Sequence, residues 1–92
     1  HVKISPEISR YDLQKFIEMF IEDTFRVKGF LQTADAGLLL VDCVGNVVNL
    51  SSAPADVPEN KIGWLTILSG AGMPVHKAVK QACQWYQKYI LE

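Results

Sequence analysis

Arg26-Val27-Lys28-Gly29-Phe30-Leu31-Gln32-Thr33 is the stretch on which the fold turns. Side chains of an extended chain alternate between two faces. Val27, Gly29 and Leu31 therefore share one side, and Arg26, Lys28, Phe30 and Gln32 the other. The first side suits a core and the second carries charge, which predicts a strand with one covered and one open face. Ala34-Asp35-Ala36-Gly37 interrupts it, and the apolar run Leu38–Val44 follows. Gly45-Asn46 then separates that run from Val47-Val48-Asn49-Leu50. This is the spacing of a two-residue hairpin, with glycine supplying the positive φ of a type II′ turn.

Upstream of this hairpin, Leu13, Phe16, Ile17 and Phe20 recur at helical spacing and Thr24 continues the line. Gln14, Lys15, Glu18 and Glu22 fall mostly opposite, so an amphipathic helix of about 16 residues is expected. Ser9 and Asp12 resemble a capping box at its start, with Asp in place of the longer Glu. His1–Ile4 alternates and predicts a short strand, ended by Ser5-Pro6 because proline has no ladder donor. Downstream, Ser51–Lys61 holds two prolines and reads as a loop. Gly63–Ser69 predicts a strand, with Leu65 and Ile67 alternating against Trp64, Thr66 and Leu68. A turn at Gly70-Ala71-Gly72-Met73-Pro74 leads to a second helix over Val75–Leu91, striped by Val75, Val79, Ala82, Cys83, Tyr86 and Ile90.

The order is β-α-β-β-β-β-α. Two striped helices need an apolar surface to cover, and short turns join most of the strands. The expected fold is α+β: an antiparallel four- to five-stranded sheet with both helices packed on one face.

A length of 92 residues points to one domain, residues 1–92. Hydrophobic residues at 49% and charged ones at 21% exclude disorder. Nine basic and ten acidic residues give a net charge of −1. Nucleic-acid binding needs a clustered basic excess to displace counterions, and the sequence shows no such run. Lys77, Lys80 and Lys88 read as a solvated helix face. The apolar run Gly37–Val41 is far short of the roughly 20 residues of a bilayer span, so no membrane role is expected. Two cysteines make no disulfide framework, and a reducing, cytoplasmic setting fits them. The missing initiator Met leads to the expectation of a fragment of a larger protein.

Candidate chemistry is sparse. His76 and Cys83 lie two helical turns apart, about 10 Å along the axis, too far for the hydrogen bond that activates a thiol. A small hydrolase built on Cys83 would need a histidine within reach of its sulfur. Zinc spacings such as C-x₂-C or H-x₃-H are absent. Ser69-Gly70-Ala71-Gly72 before a helix lacks the third glycine of a dinucleotide fingerprint, and no Gly-Lys-Ser/Thr follows. Asp42 falls on the wet face of its strand with Leu38 and Leu40, where a solvated or hydrogen-bonded role is expected.

Phe25-Arg26-Val27-Lys28-Gly29-Phe30 resembles the Arg-x-Lys-Gly-φ strand in the C-terminal domain of the CobW family of P-loop GTPases. There, too, the strand directly follows an amphipathic helix. Leu39–Gly45 is similar to the family's next strand. Leu65-Thr66-Ile67-Leu68-Ser69-Gly70, with the helix containing Cys83, is similar to its closing strand and terminal helix. The likeness runs over roughly residues 2–90 in the family's order, though the Arg-x-Lys-Gly element is short.

The resemblance implies a non-catalytic interaction or regulatory domain of a GTP-dependent metal-homeostasis protein, tied to cobalamin synthesis or metal delivery. Its GTP and Mg²⁺ site and its zinc or cobalt site (a Cys-x-Cys-Cys element) are then expected in an N-terminal domain that this chain lacks. No catalytic, cofactor-binding or metal-ligating residue carries over. The implied partners are that GTPase domain or a client metalloprotein. Arg26, Lys28 and Phe30, opposite Val27 and Leu31, form a candidate docking face, since aromatic residues and arginine anchor interfaces. The plainer alternative is a solvated sheet face. A free-standing ferredoxin-like ligand-binding or dimerisation module, unrelated to GTPases, is the competing assignment.

Overall fold

The computed structural model describes residues 1–69 and 75–91. Within them lie β1 (Val2–Lys3), α1 (Arg10–Glu18), β2 (Arg26–Thr33), β3 (Gly37–Val44), β4 (Leu50–Ser52), β5 (Trp64–Leu68) and α2 (Val75–Trp85). Short 3₁₀ turns occupy Ile21–Asp23, Glu59–Lys61 and Gln87–Tyr89. The expected turn at Gly70–Pro74 lies outside the described residues. The observed order is the one that hydrophobic periodicity predicts.

The five strands form one antiparallel sheet in the order β1-β5-β2-β3-β4. β1 and β2 both run antiparallel to β5 and therefore parallel to each other, with α1 crossing between them and β5 slotted into the gap. Val27, Leu31, Leu39, Val41, Cys43 and Leu65 point to one side and are buried. There they meet Leu13, Phe16 and Ile17 of α1 and Ala82 of α2 in a single apolar cluster. Both helices thus cover the same face. The Val27 side is the covered one, as its alternation requires.

Ser9 caps α1: its hydroxyl oxygen accepts from the Asp12 N–H at 3.0 Å. The Asp12 carboxylate instead accepts from the Tyr89 hydroxyl at 3.4 Å, tying α1 to the C-terminal segment.

The hairpin turn at Gly45-Asn46 forms as predicted. Gly45 has φ +62°, and the Val47 N–H donates to the Val44 carbonyl at 3.3 Å. The other hairpin turns at Ala34–Ala36. Gly37 closes it at φ +72°, and the Thr33 hydroxyl donates to the Gly37 carbonyl at 2.8 Å.

Three element boundaries differ from expectation. α1 ends at Glu18 after 9 residues, about two turns short of the expected helix. The chain tightens there: the Met19 and Phe20 N–H groups donate to the Phe16 and Ile17 carbonyls, three residues back. This overwinding buries Phe20 and Ile21 together and turns Thr24 inward to bond the Ile21 carbonyl at 2.8 Å.

α2 stops at Trp85, and the segment that follows serves the sheet rather than a helix. The Ser5 N–H donates to the Tyr89 carbonyl at 2.7 Å, the Leu91 N–H donates to the Lys3 carbonyl at 2.8 Å, and Ile90 bridges Ile4. The outer edge of β1 would otherwise present unpaired backbone groups. The last strand of the hairpin, expected at Val47–Leu50, is regular over Leu50–Ser52, because pairing with β3 continues to Leu39 opposite Ser52.

Candidate functional site

The sheet face away from α1 and α2 is bordered by the Glu59–Lys61 turn. Its side chains are arranged by register. Arg26 lies opposite Leu68, Lys28 stands between Thr66 and Asp42, and Phe30 is opposite Leu40. A groove of about 520 Å³ crosses this lattice, lined chiefly by Arg26, Lys28, Phe30, Lys61, Trp64 and Leu68. Arg26, Lys28 and Phe30, the three residues singled out from sequence, are thus brought together in one groove.

Lys61, Trp64 and Lys3 were not singled out. Trp64 begins β5, the strand beside β2, and Lys61 comes from the 3₁₀ turn just before it. Lys3, on the edge strand, holds its ammonium 5.0 Å from the centroid of the Trp64 ring, a cation–π contact. The alternation of Trp64 against Leu65 placed it on the open side, but its neighbours depend on strand order, which periodicity does not encode.

Gly29 makes this arrangement possible. A Cβ there would strike the backbone carbonyl oxygen of Trp64 and lie 3.3 Å from the Leu65 Cα. Only glycine lets β5 approach this closely. The Gly63 N–H donates to the Phe30 carbonyl at 2.8 Å across the same contact, which sets Trp64 next to Phe30 over the groove.

Arg26 donates through Nη2 to Asp42 Oδ1 at 3.2 Å. Asp42 is therefore a half-exposed, hydrogen-bonded carboxylate on the open face, where such a pair contributes about 0.2–1 kcal/mol. At the groove the Thr66 hydroxyl and His1 Nδ1 lie 3.0 Å apart, an exposed hydroxyl–imidazole contact.

Cys43 is fully buried in the core, and Cys83 is half-buried against it. Burial pushes both thiols above the ordinary range; at Cys43 a backbone hydrogen bond from Asn49 opposes part of that shift. Thiolate is the form that attacks or binds metal, so both cysteines are poor nucleophiles and poor ligands at neutral pH. His76, on the same helix as Cys83, is exposed. Among the described residues no three His, Cys, Asp or Glu side chains converge on a position able to hold a metal ion. No helix among the described residues is long and apolar enough to cross a membrane.

The raised thiols have a measurable consequence. A raised pKa means the folded state holds its proton where the unfolded chain has lost it. Stability is then full below the unfolded thiol pKa, about 8.5, and falls as pH rises past it. Denaturant midpoints measured across this range should decline in the parent chain and decline less in Cys43→Ala. Equal slopes would show that the Cys43 thiol is not shifted.

The class of protein these features define is an α+β domain, a helix-backed antiparallel sheet whose other face bears an aromatic, cation-rimmed groove. A family model described as the cobalamin synthesis protein cobW C-terminal domain matches residues 2–82. The chain belongs to this family. Searches of the curated proteins and of the solved structures found no match.

Proposed function

We propose that this chain is the non-catalytic interaction and regulatory domain of a CobW-like, GTP-dependent metal-homeostasis protein acting in cobalamin synthesis or metal delivery. Its open sheet face docks against the parent's own GTPase domain or a client metalloprotein. One observation carries the docking role: Arg26, Lys28 and Phe30 converge with Trp64 and Leu68 in a single groove on a rigid sheet. Aromatic and arginine side chains presented this way dominate interface energetics. GTP, Mg²⁺ and zinc or cobalt belong, on this reading, to the GTPase part, and this chain positions and gates it. The two free thiols accord with a cytoplasmic setting.

The test measures association of this chain with the GTPase part of its parent and with a client. Lys28→Glu combined with Arg26→Glu should weaken one of the two by about tenfold or more, equivalent to roughly 1.4 kcal/mol. The exchange loses the Arg26–Asp42 pair and sets like charges beside Asp42, so a stability loss of about 1 kcal/mol is expected and affinities are compared on folded protein. Unchanged affinity for both partners would remove the sheet face from the interaction.

A further inference from the structure

We propose that the occupant of the groove is an acidic peptide segment carrying an apolar side chain. Its carboxylates lie over Lys28 and Lys61, and its apolar residue sits on the floor between Phe30, Trp64 and Leu68. The inference rests on the docking role proposed above and adds the chemistry of the partner.

The open face carries a local excess of positive charge. The chain is net acidic at −1, yet Arg26, Lys28 and Lys61 line the groove, Lys3 lies beside it against Trp64, and the lining has no carboxylate among the described residues. Asp42 already accepts from Arg26 at 3.2 Å. Lys28 and Lys61 have no carboxylate partner among the described residues. Glu59, in the same turn as Lys61, does not line the groove. Acidic residues collect elsewhere, with Asp12 and Glu18 on α1 and Glu22 and Asp23 just beyond it. Two cations without counter-charges beside an apolar floor complement a ligand that is itself part anionic and part apolar.

Other occupants fit less well. A second copy docked face to face would set Lys28 and Lys61 of one chain against those of the other, and like charges at an interface cost affinity. A nucleic-acid strand needs a row of cations along its phosphates and open aromatic faces for its bases. Here the Trp64 ring is already covered by the Lys3 ammonium. At about 520 Å³ the groove takes a few side chains of an extended segment.

The experiment pans short randomised peptides on the 92-residue chain carrying Trp85→Phe. The chain has two tryptophans, so Trp64 becomes the sole tryptophan, and it lies in the groove. Enriched peptides should carry Asp or Glu around an apolar residue and change Trp64 emission on binding. They should lose about tenfold or more in affinity in Lys28→Glu/Lys61→Glu, and weaken with added salt. Enrichment of neutral apolar peptides that still depends on Phe30 overturns the acidic partner and leaves the docking face standing. Enrichment indifferent to Lys28, Lys61 and Phe30 alike overturns both. Tighter binding of single-stranded oligouridylate than of any enriched peptide overturns it in favour of nucleic acid.

Discussion

Replacing Gly29 by alanine is expected to cost about 3 kcal/mol of folding stability, at the upper end for over-packing. Two small effects favour alanine. It lowers the entropy of the unfolded chain by about 0.4–1 kcal/mol, and it is the better strand residue. Sterics outweigh both. The atom in the way is the Trp64 carbonyl oxygen, part of the β5 backbone, with the Leu65 Cα 3.3 Å off behind it. A long side chain could swing aside, but a strand bonded to β1 on one edge and β2 on the other cannot. Relief must come from shifting β5 away from β2, which breaks the Gly63–Phe30 hydrogen bond and widens the groove.

Gly45 is the matched contrast. Its φ is +62° and nothing lies within 4 Å of an added Cβ, so Gly45→Ala pays only the left-handed backbone penalty of about 1–2 kcal/mol. Gly45→Asn should recover little of that, since the first central position of a type II′ turn is a glycine position. Gly29→Asn should recover nothing. Urea midpoints at constant slope measure all four variants. A Gly29→Ala chain as stable as the parent would mean that β5 does not pass this close to β2.

Much of the architecture was legible because both periodicities are clean. Val27, Leu31, Leu39, Val41, Cys43 and Leu65 fall on the buried side wherever alternation puts them, and Leu13, Phe16, Ile17 and Phe20 keep helical spacing to the core. Gly45-Asn46 names its own turn. What escaped depends on partners far along the chain. Tyr89, Ile90 and Leu91 have a helical pattern, but β1 needs their backbone groups more than a last helical turn does. The same limit applies to the groove. Arg26, Lys28 and Phe30 follow from one strand's alternation. Trp64 and Lys61 join them because β5 inserts between β1 and β2, an ordering that no local pattern specifies. Gly29 was read as an ordinary member of the inward face, and its necessity appears only once the Trp64 carbonyl is beside it.

Phe16→Ala should remove about 3–5 kcal/mol, the usual range for deleting a buried aromatic ring. Phe16 is fully buried and joins α1 to the rest of the core. It meets Phe20 edge-on at 5.2 Å between ring centroids and Tyr86 edge-on at 5.8 Å. Each such pair adds about 0.5–1.5 kcal/mol beyond area burial. The Tyr86 contact matters most, since it couples α1 to the end of α2, and alanine would sever that coupling. A domain of this size has about 5–15 kcal/mol in all, so the variant should lie close to its unfolding threshold at room temperature. Phe16→Leu keeps most of the volume and should cost less than half as much, and Tyr11→Ala, at an exposed position of the same helix, should stay within about 0.5 kcal/mol. Because the groove lies on the opposite side of the sheet, Phe16→Leu should bind partners as the parent does once folded. Denaturation of Phe16→Ala at the midpoint of Tyr11→Ala would mean that Phe16 is not the ring on which the two helices meet. A folded Phe16→Leu that lost partner binding would place the docking surface on the helices and not on the sheet.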